Sequence, residues 1–156
     1  MNLSGQLAKH IRDVHFGGNW TSVNLKDTLA DVSWQQATTH VQSLNTIDTL
    51  MYHVHYYISA VTKVLEGGPL EAKDIYSFAH PPIRSQDDWQ ALLDKTWADA
   101  ETLAALVAVL PESLLWESFT DEKYGTYYRN IQGIIEHTHY HLGQIVVIKK
   151  MMITIG

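Results

Sequence analysis

Arg129-Asn-Ile-Gln-Gly-Ile-Ile-Glu-His-Thr-His-Tyr-His-Leu-Gly-Gln-Ile-Val-Val-Ile-Lys-Lys-Met151 is a long, largely apolar stretch that carries two histidines, His137 and His141, four residues apart. Read as a helix, it places both imidazoles on one face, about 6 Å apart, together with Ile134 and Ile145. That face should point into a helical core. His139 falls about 200° around the helix from His137 and should face elsewhere. Two imidazoles so placed can grip one transition metal from a single helix, and the rest of the chain must then supply a third ligand.

The sequence has 156 residues, which fits one domain over 1–156 with one core. Nearly half the residues are apolar, and eight Tyr and five Trp add bulk to that core. The formal charge of −6 and the lack of a Lys/Arg-rich run argue against a nucleic-acid partner, which needs a basic face. There is no cysteine, so a disulfide framework, a thiolate metal site and a cysteine nucleophile are excluded. Any metal must be held by His, Asp or Glu. No charged leader with an apolar core opens the sequence, and no segment has about 20 consecutive apolar residues. A cytoplasmic protein with no membrane partner is the expectation.

Helical periodicity outlines four long segments. Leu3, Leu7, Ile11 and Val14 predict a helix over 4–16, starting near Ser4 and stopped by Gly17-Gly18. Residues 17–44 are less regular and read as a loop with short helical turns, pinned by Trp20, Val23, Leu25 and Leu29, with Trp34 and Ala37 on a further turn. A second helix is predicted over about 46–66, capped by Asn45 with Asp48 in its first turn. Its connection to the third, through a loop over 70–84 with Pro81-Pro82, should be well under 20 residues. The third begins at the Ser85 cap and runs through Trp89, Leu93, Trp97 and Leu103 to Pro111. Residues 112–125 form a connection anchored by Trp116 and Phe119. The fourth helix runs from about Thr126 to Ile153, with Gly133 and Gly143 inside it. An interior glycine costs roughly 1 kcal/mol relative to Ala, so two of them point to close packing, a crowded site or a kink. The fold class expected is all-α, a four-helix bundle with a long connection between helices 1 and 2.

Helix 2 offers His53 and His55 as the third ligand. His53 lies on the Leu50/Val54/Tyr57/Val61 face, whereas His55 falls between that face and solvent and reads as a surface or interface residue. Three imidazoles make an open site of the kind zinc uses and nickel tolerates, and a water on such an ion would be acidified. Gln144, three beyond His141, reads either as a hydrogen-bonding partner in the site or as a polar edge residue. Tyr57, one turn beyond His53, reads either as a donor to a substrate oxyanion or as a core tyrosine. Glu136 points about 100° away from His137. His10 and His15 are weaker candidates for the same pocket, Asp48 for orienting an imidazole, and His40 and His80 in loops carry no signal.

Asn45-Thr-Ile-Asp-Thr-Leu-Met-Tyr-His-Val-His-Tyr-Tyr57, followed by Val64-Leu-Glu-Gly67, and His137-Thr-His-Tyr-His141-Leu-Gly-Gln144 together resemble the two metal-binding segments of the DinB/YfiT-like superfamily. The likeness spans nearly the whole chain. It departs from the family pattern at Leu142, where Arg is common, and at Tyr140, where a further His is frequent. The resemblance implies an up-up-down-down-like four-helix bundle, a divalent metal (nickel or zinc) on His53, His137 and His141, and a homodimer. Two functional readings follow. One is a metal-dependent enzyme of the thiol-dependent S-transferase or hydrolase type, acting on an electrophilic substrate with a small-molecule thiol or water, with Tyr57 and Gln144 as catalytic helpers. The other is a non-enzymatic metal-binding bundle that acts in stress response through a partner or ligand.

Overall fold

The computed structural model describes residues 2–155, with side chains to Met152. The described residues are helical, in six α-helices with three short 3-10 turns and no strand; Ser118 and Thr126 form one isolated antiparallel bridge. The helices are α1 (Leu3–Phe16), α2 (Leu25–Leu29), α3 (Trp34–Ala37), α4 (Ile47–Leu65), α5 (Gln86–Ala108) and α6 (Tyr127–Ile155). The four long ones pack in a closed cycle: α1 on α5, α5 on α4, α4 on α6, and α6 back on α1.

Asn2 caps α1 by accepting from the Gly5 amide at 2.9 Å, while Ser4, expected near this start, is buried and donates to the Leu110 carbonyl. Gly17 and Gly18 end the helix with φ of 112° and 99°, which side-chain-bearing residues rarely adopt. The Ser85 cap of α5 is as expected, its hydroxyl accepting from the Asp88 amide. α4 begins differently: Thr46, not Asn45, is its N-cap, and the Thr46 hydroxyl donates to that of Thr49 instead of accepting from a helix amide. The connection from α4 to α5 covers residues 66–85, longer than periodicity suggested, and includes a 3-10 turn at Asp74–Tyr76.

The core collects Ile11, Val14, Leu50, Met51, Val54, Ile58, Leu103, Ile131 and Ile145 from the four long helices. Burying such side chains contributes about 1.5–3 kcal/mol each. Residues 17–46 are tied to this core by buried Leu25 and Leu29 and by Trp89, whose indole N–H donates to the Val32 carbonyl at 2.9 Å. Lys149 of α6 adds a hydrogen bond to the Thr28 carbonyl and an ion pair with Asp31.

Two expected aromatic anchors are not anchors. Trp20 is fully exposed, because Asn19 holds the surrounding turn through polar bonds to the Asp13 and Val23 carbonyls. Trp116 is also exposed and stacks on Tyr128, leaving Phe119, with Leu115, to anchor that connection in the core. Close packing does not explain the α6 glycines either. Among the described residues, a Cβ at Gly143 would meet nothing within 4 Å, and one at Gly133 would meet only the flexible tip of Arg129, at 3.2 Å.

Candidate metal centre

α4 and α6 bring the three expected imidazoles together. His137 and His141 share a face of α6 and His53 reaches them from α4, so that one ligand atom from each lies within 4.8 Å of the others. The contact is closer through particular atoms: Nε2 of His137 lies 3.0 Å from Nε2 of His53 and 3.0 Å from Nε2 of His141. Two nitrogens each about 2.0–2.1 Å from a common ion sit roughly 3–3.4 Å apart. The observed spacing fits one ion.

The hydrogen bonds behind the rings set which nitrogens face inward. The Ser77 hydroxyl donates to the Asp74 carbonyl at 2.7 Å, so at its 2.8 Å contact with His53 it accepts from Nδ1–H. Gln144 Oε1 can only accept, and it lies 2.6 Å from Nδ1 of His141. His53 and His141 therefore carry their protons on Nδ1 and turn bare Nε2 lone pairs toward His137. With one proton, His137 could bridge to only one of them. Its Nδ1 is buried with no partner among the described residues. Adding protons is opposed: burial first, then the neighbouring imidazoles, push His137 down to about 4. Burial is also the leading cause of the lowered values of His53 and His141. A divalent cation at the focus satisfies all three lone pairs, and the site fits a metal on this ground.

Aromatic rings hold the cluster in place. Phe78 stacks on His53 with centroids 4.0 Å apart, and Tyr57 meets both His53 and His137 edge-on at 5.2 and 5.1 Å. The Tyr57 phenol donates to Asp74 Oδ1 at 2.6 Å and is pushed up to about 12, by burial first and by Asp74 next. Tyr140 lies edge-on to His141, and its hydroxyl accepts from the Gln144 amide at 3.3 Å. A cleft of about 560 Å³ opens beside His53 and His137, lined further by Tyr57, Leu70, Phe119 and Arg129.

The remaining histidines lie elsewhere. His55 is not a surface residue: it is 7% exposed and engages Asp99 of α5 through Nε2 at 2.6 Å. His15 is buried beside Phe16 and Trp97, and His10 lines a different cleft with His139. Asp48 does lie near an imidazole, but that of His80 at 3.7 Å. Glu136 faces out and pairs with Arg129. Sequence reasoning missed Ser77, Asp74 and Phe78, which brace His53 from the 66–85 connection. It also passed over His80, whose Nε2 is fixed by Thr49 at 3.0 Å.

No protein-family model, curated protein or solved structure matches this chain. The site stands on its geometry.

That geometry overturns the expected thiol-dependent transferase or hydrolase chemistry. The chain has no cysteine, and its cluster is purely imidazole, so the protein supplies no thiolate. The groups beside the triad are already engaged. Tyr57 is held as a neutral phenol against Asp74, Gln144 is bound to His141, and Arg129, the arginine of the cleft, pairs with Glu136. What the arrangement offers is a cluster able to hold a divalent ion. Among the described residues no helix is long and apolar enough to cross a membrane.

Proposed function

We propose that this protein is a non-enzymatic metal-binding protein, in which His53, His137 and His141 hold one divalent ion within a DinB/YfiT-like four-helix bundle. The observation that carries the reading is the set of three Nε2 atoms facing one another, two with their outer nitrogens bonded to Ser77 and Gln144. Imidazole ligands suit nickel and zinc, and these are the ions assigned. When bound, the ion supplies a Lewis-acidic centre with a position left for an outside donor. Ser77 and Gln144 orient their imidazoles, Phe78 shields one face of His53, and Tyr57 keeps Asp74 in place. Structural sites are closed by four ligands, whereas the cluster contains three. The fourth donor in this reading comes from a bound ligand or partner, admitted through the neighbouring cleft. The protein then acts as a cytoplasmic homodimer in stress response, through what it binds.

Elemental analysis of the purified protein tests this. About one nickel or zinc per chain is expected, with near-complete loss in a His137→Ala/His141→Ala variant that retains the wild-type helical circular dichroism. Equal metal content in both proteins would refute the ligand set. Metal-dependent turnover by the loaded protein would refute the non-enzymatic reading while leaving the ligands intact.

A further inference from the structure

A second cavity, of about 550 Å³, lies between α4, α5 and the Pro81–Ile83 segment, on the adjoining face of α4, and shares Ala60 with the triad cleft but none of the three imidazoles. Its volume is that of a small-molecule site. One wall is aromatic: Tyr52 lies 6.5 Å from Tyr56 and 5.5 Å from the His80 ring, centroid to centroid. His80 is held rigid there by Thr49 at 3.0 Å and by the Pro81 carbonyl at 2.8 Å. Pro82, Ile83 and Leu92 also line the cavity.

Its polar groups fall into two sets. The lysines at the rim are neutralised, Lys63 by Glu71 and Lys95 by Asp99, so the cavity offers no uncompensated cation to an acidic ligand. Inside, Ser59 and Tyr52 contribute hydroxyls that have no hydrogen-bond partner among the described residues. His55 uses Nε2 for Asp99 and has no such partner at Nδ1. A cavity walled by flat rings, with its lysines paired, the Asp88 carboxylate accepting from the Arg84 amide, and a few unengaged hydrogen-bonding atoms, has a definite chemical complement. We propose that it binds an uncharged, planar aromatic small molecule bearing a hydroxyl or N–H group, stacked against Tyr52 and Tyr56 and hydrogen-bonded at the Ser59/His55 end. This site is separate from the triad and does not rest on the metal reading.

The probe is 2-naphthol, which is flat, carries one hydroxyl and is uncharged at neutral pH. Binding to the full chain is followed by isothermal titration calorimetry, and the site is located by substitution. Ala91 lines the cavity from an exposed position on α5, so Ala91→Trp should fill it without disturbing the core. Ser59→Trp does the same from α4 and serves if the first variant melts below wild type. Saturable binding of one 2-naphthol per chain is expected, weakened at least tenfold by either filling substitution and changed less than twofold by His137→Ala. Three results would overturn the proposal: no saturable binding up to 1 mM, unchanged affinity in a folded cavity-filling variant, or a weakening by His137→Ala equal to that by Ala91→Trp. A fourth would do so too: wild-type self-association, seen by sedimentation, that Ala91→Trp abolishes in a protein unable to bind 2-naphthol.

Discussion

His15 and His137 share two properties that usually draw attention to a histidine. Burial is the largest cause pushing each down to about 4, and each has a buried ring nitrogen with no partner among the described residues, Nε2 in His15 and Nδ1 in His137. Their surroundings differ. Nδ1 of His15 lies 2.7 Å from the Ile11 carbonyl in its own helix, and its ring packs against Phe16 and Trp97. His137 faces two further imidazoles whose protons are held on their far sides. A displaced pKa and an orphaned atom are therefore signs of burial. Convergence of several lone pairs on one point is what marks a ligand site, since a single cation relieves them together.

The comparison breaks most visibly under metal. At nickel or zinc about a thousandfold above its Kd, the wild-type protein should gain about 4 kcal/mol over the chelator-stripped form. For a chain of this size that is a rise in Tm of roughly 8–16 °C. His137→Ala should show little rise, and His15→Gln should rise as wild type does; thermal melts with and without chelator decide it. The next effect belongs to His15. Between about pH 6.5 and pH 4 the unfolded chain takes up a proton that folded His15 refuses, so stability falls as the pH is lowered through this window. The loss reaches about 3 kcal/mol below pH 4. Urea denaturation of the metal-free protein across that range should show His15→Phe losing correspondingly less than wild type.

Smaller effects sharpen the same contrast. Ser77→Ala and Gln144→Leu each remove a bond behind a ligand and should weaken metal binding by about 10–100-fold, measured by competition with a chelator. Gly143→Ala should stabilise α6 by up to about 1 kcal/mol and leave metal affinity unchanged, because the added methyl meets nothing within 4 Å among the described residues.

The triad was legible in the sequence because its geometry is mostly local. Four-residue spacing fixes His137 against His141, and the Leu50/Val54 periodicity of α4 picks His53 over His55. The long helices and the Ser85 cap were legible for the same reason. Features set by distant contacts were not. Ser77 reaches His53 across 24 residues, and Asp99 draws His55 inside across 44. Neither pairing leaves a mark on the helical period. Hydrophobicity also misplaced Trp20, whose exposure follows from the polar bonds Asn19 makes to the backbone. The second cavity was hidden because His80 and Pro82 sit in a connection without periodicity, and only the fold sets them against Tyr52 and Leu92.

Isothermal titration of nickel and zinc into the wild-type protein, His15→Gln and His137→Ala puts the central claim to its most direct test. One ion per chain should bind to the first two, with none bound in the same concentration range by His137→Ala. Equal binding by all three, or loss on changing His15 as complete as on changing His137, would contradict the assignment of the three facing imidazoles as the metal site.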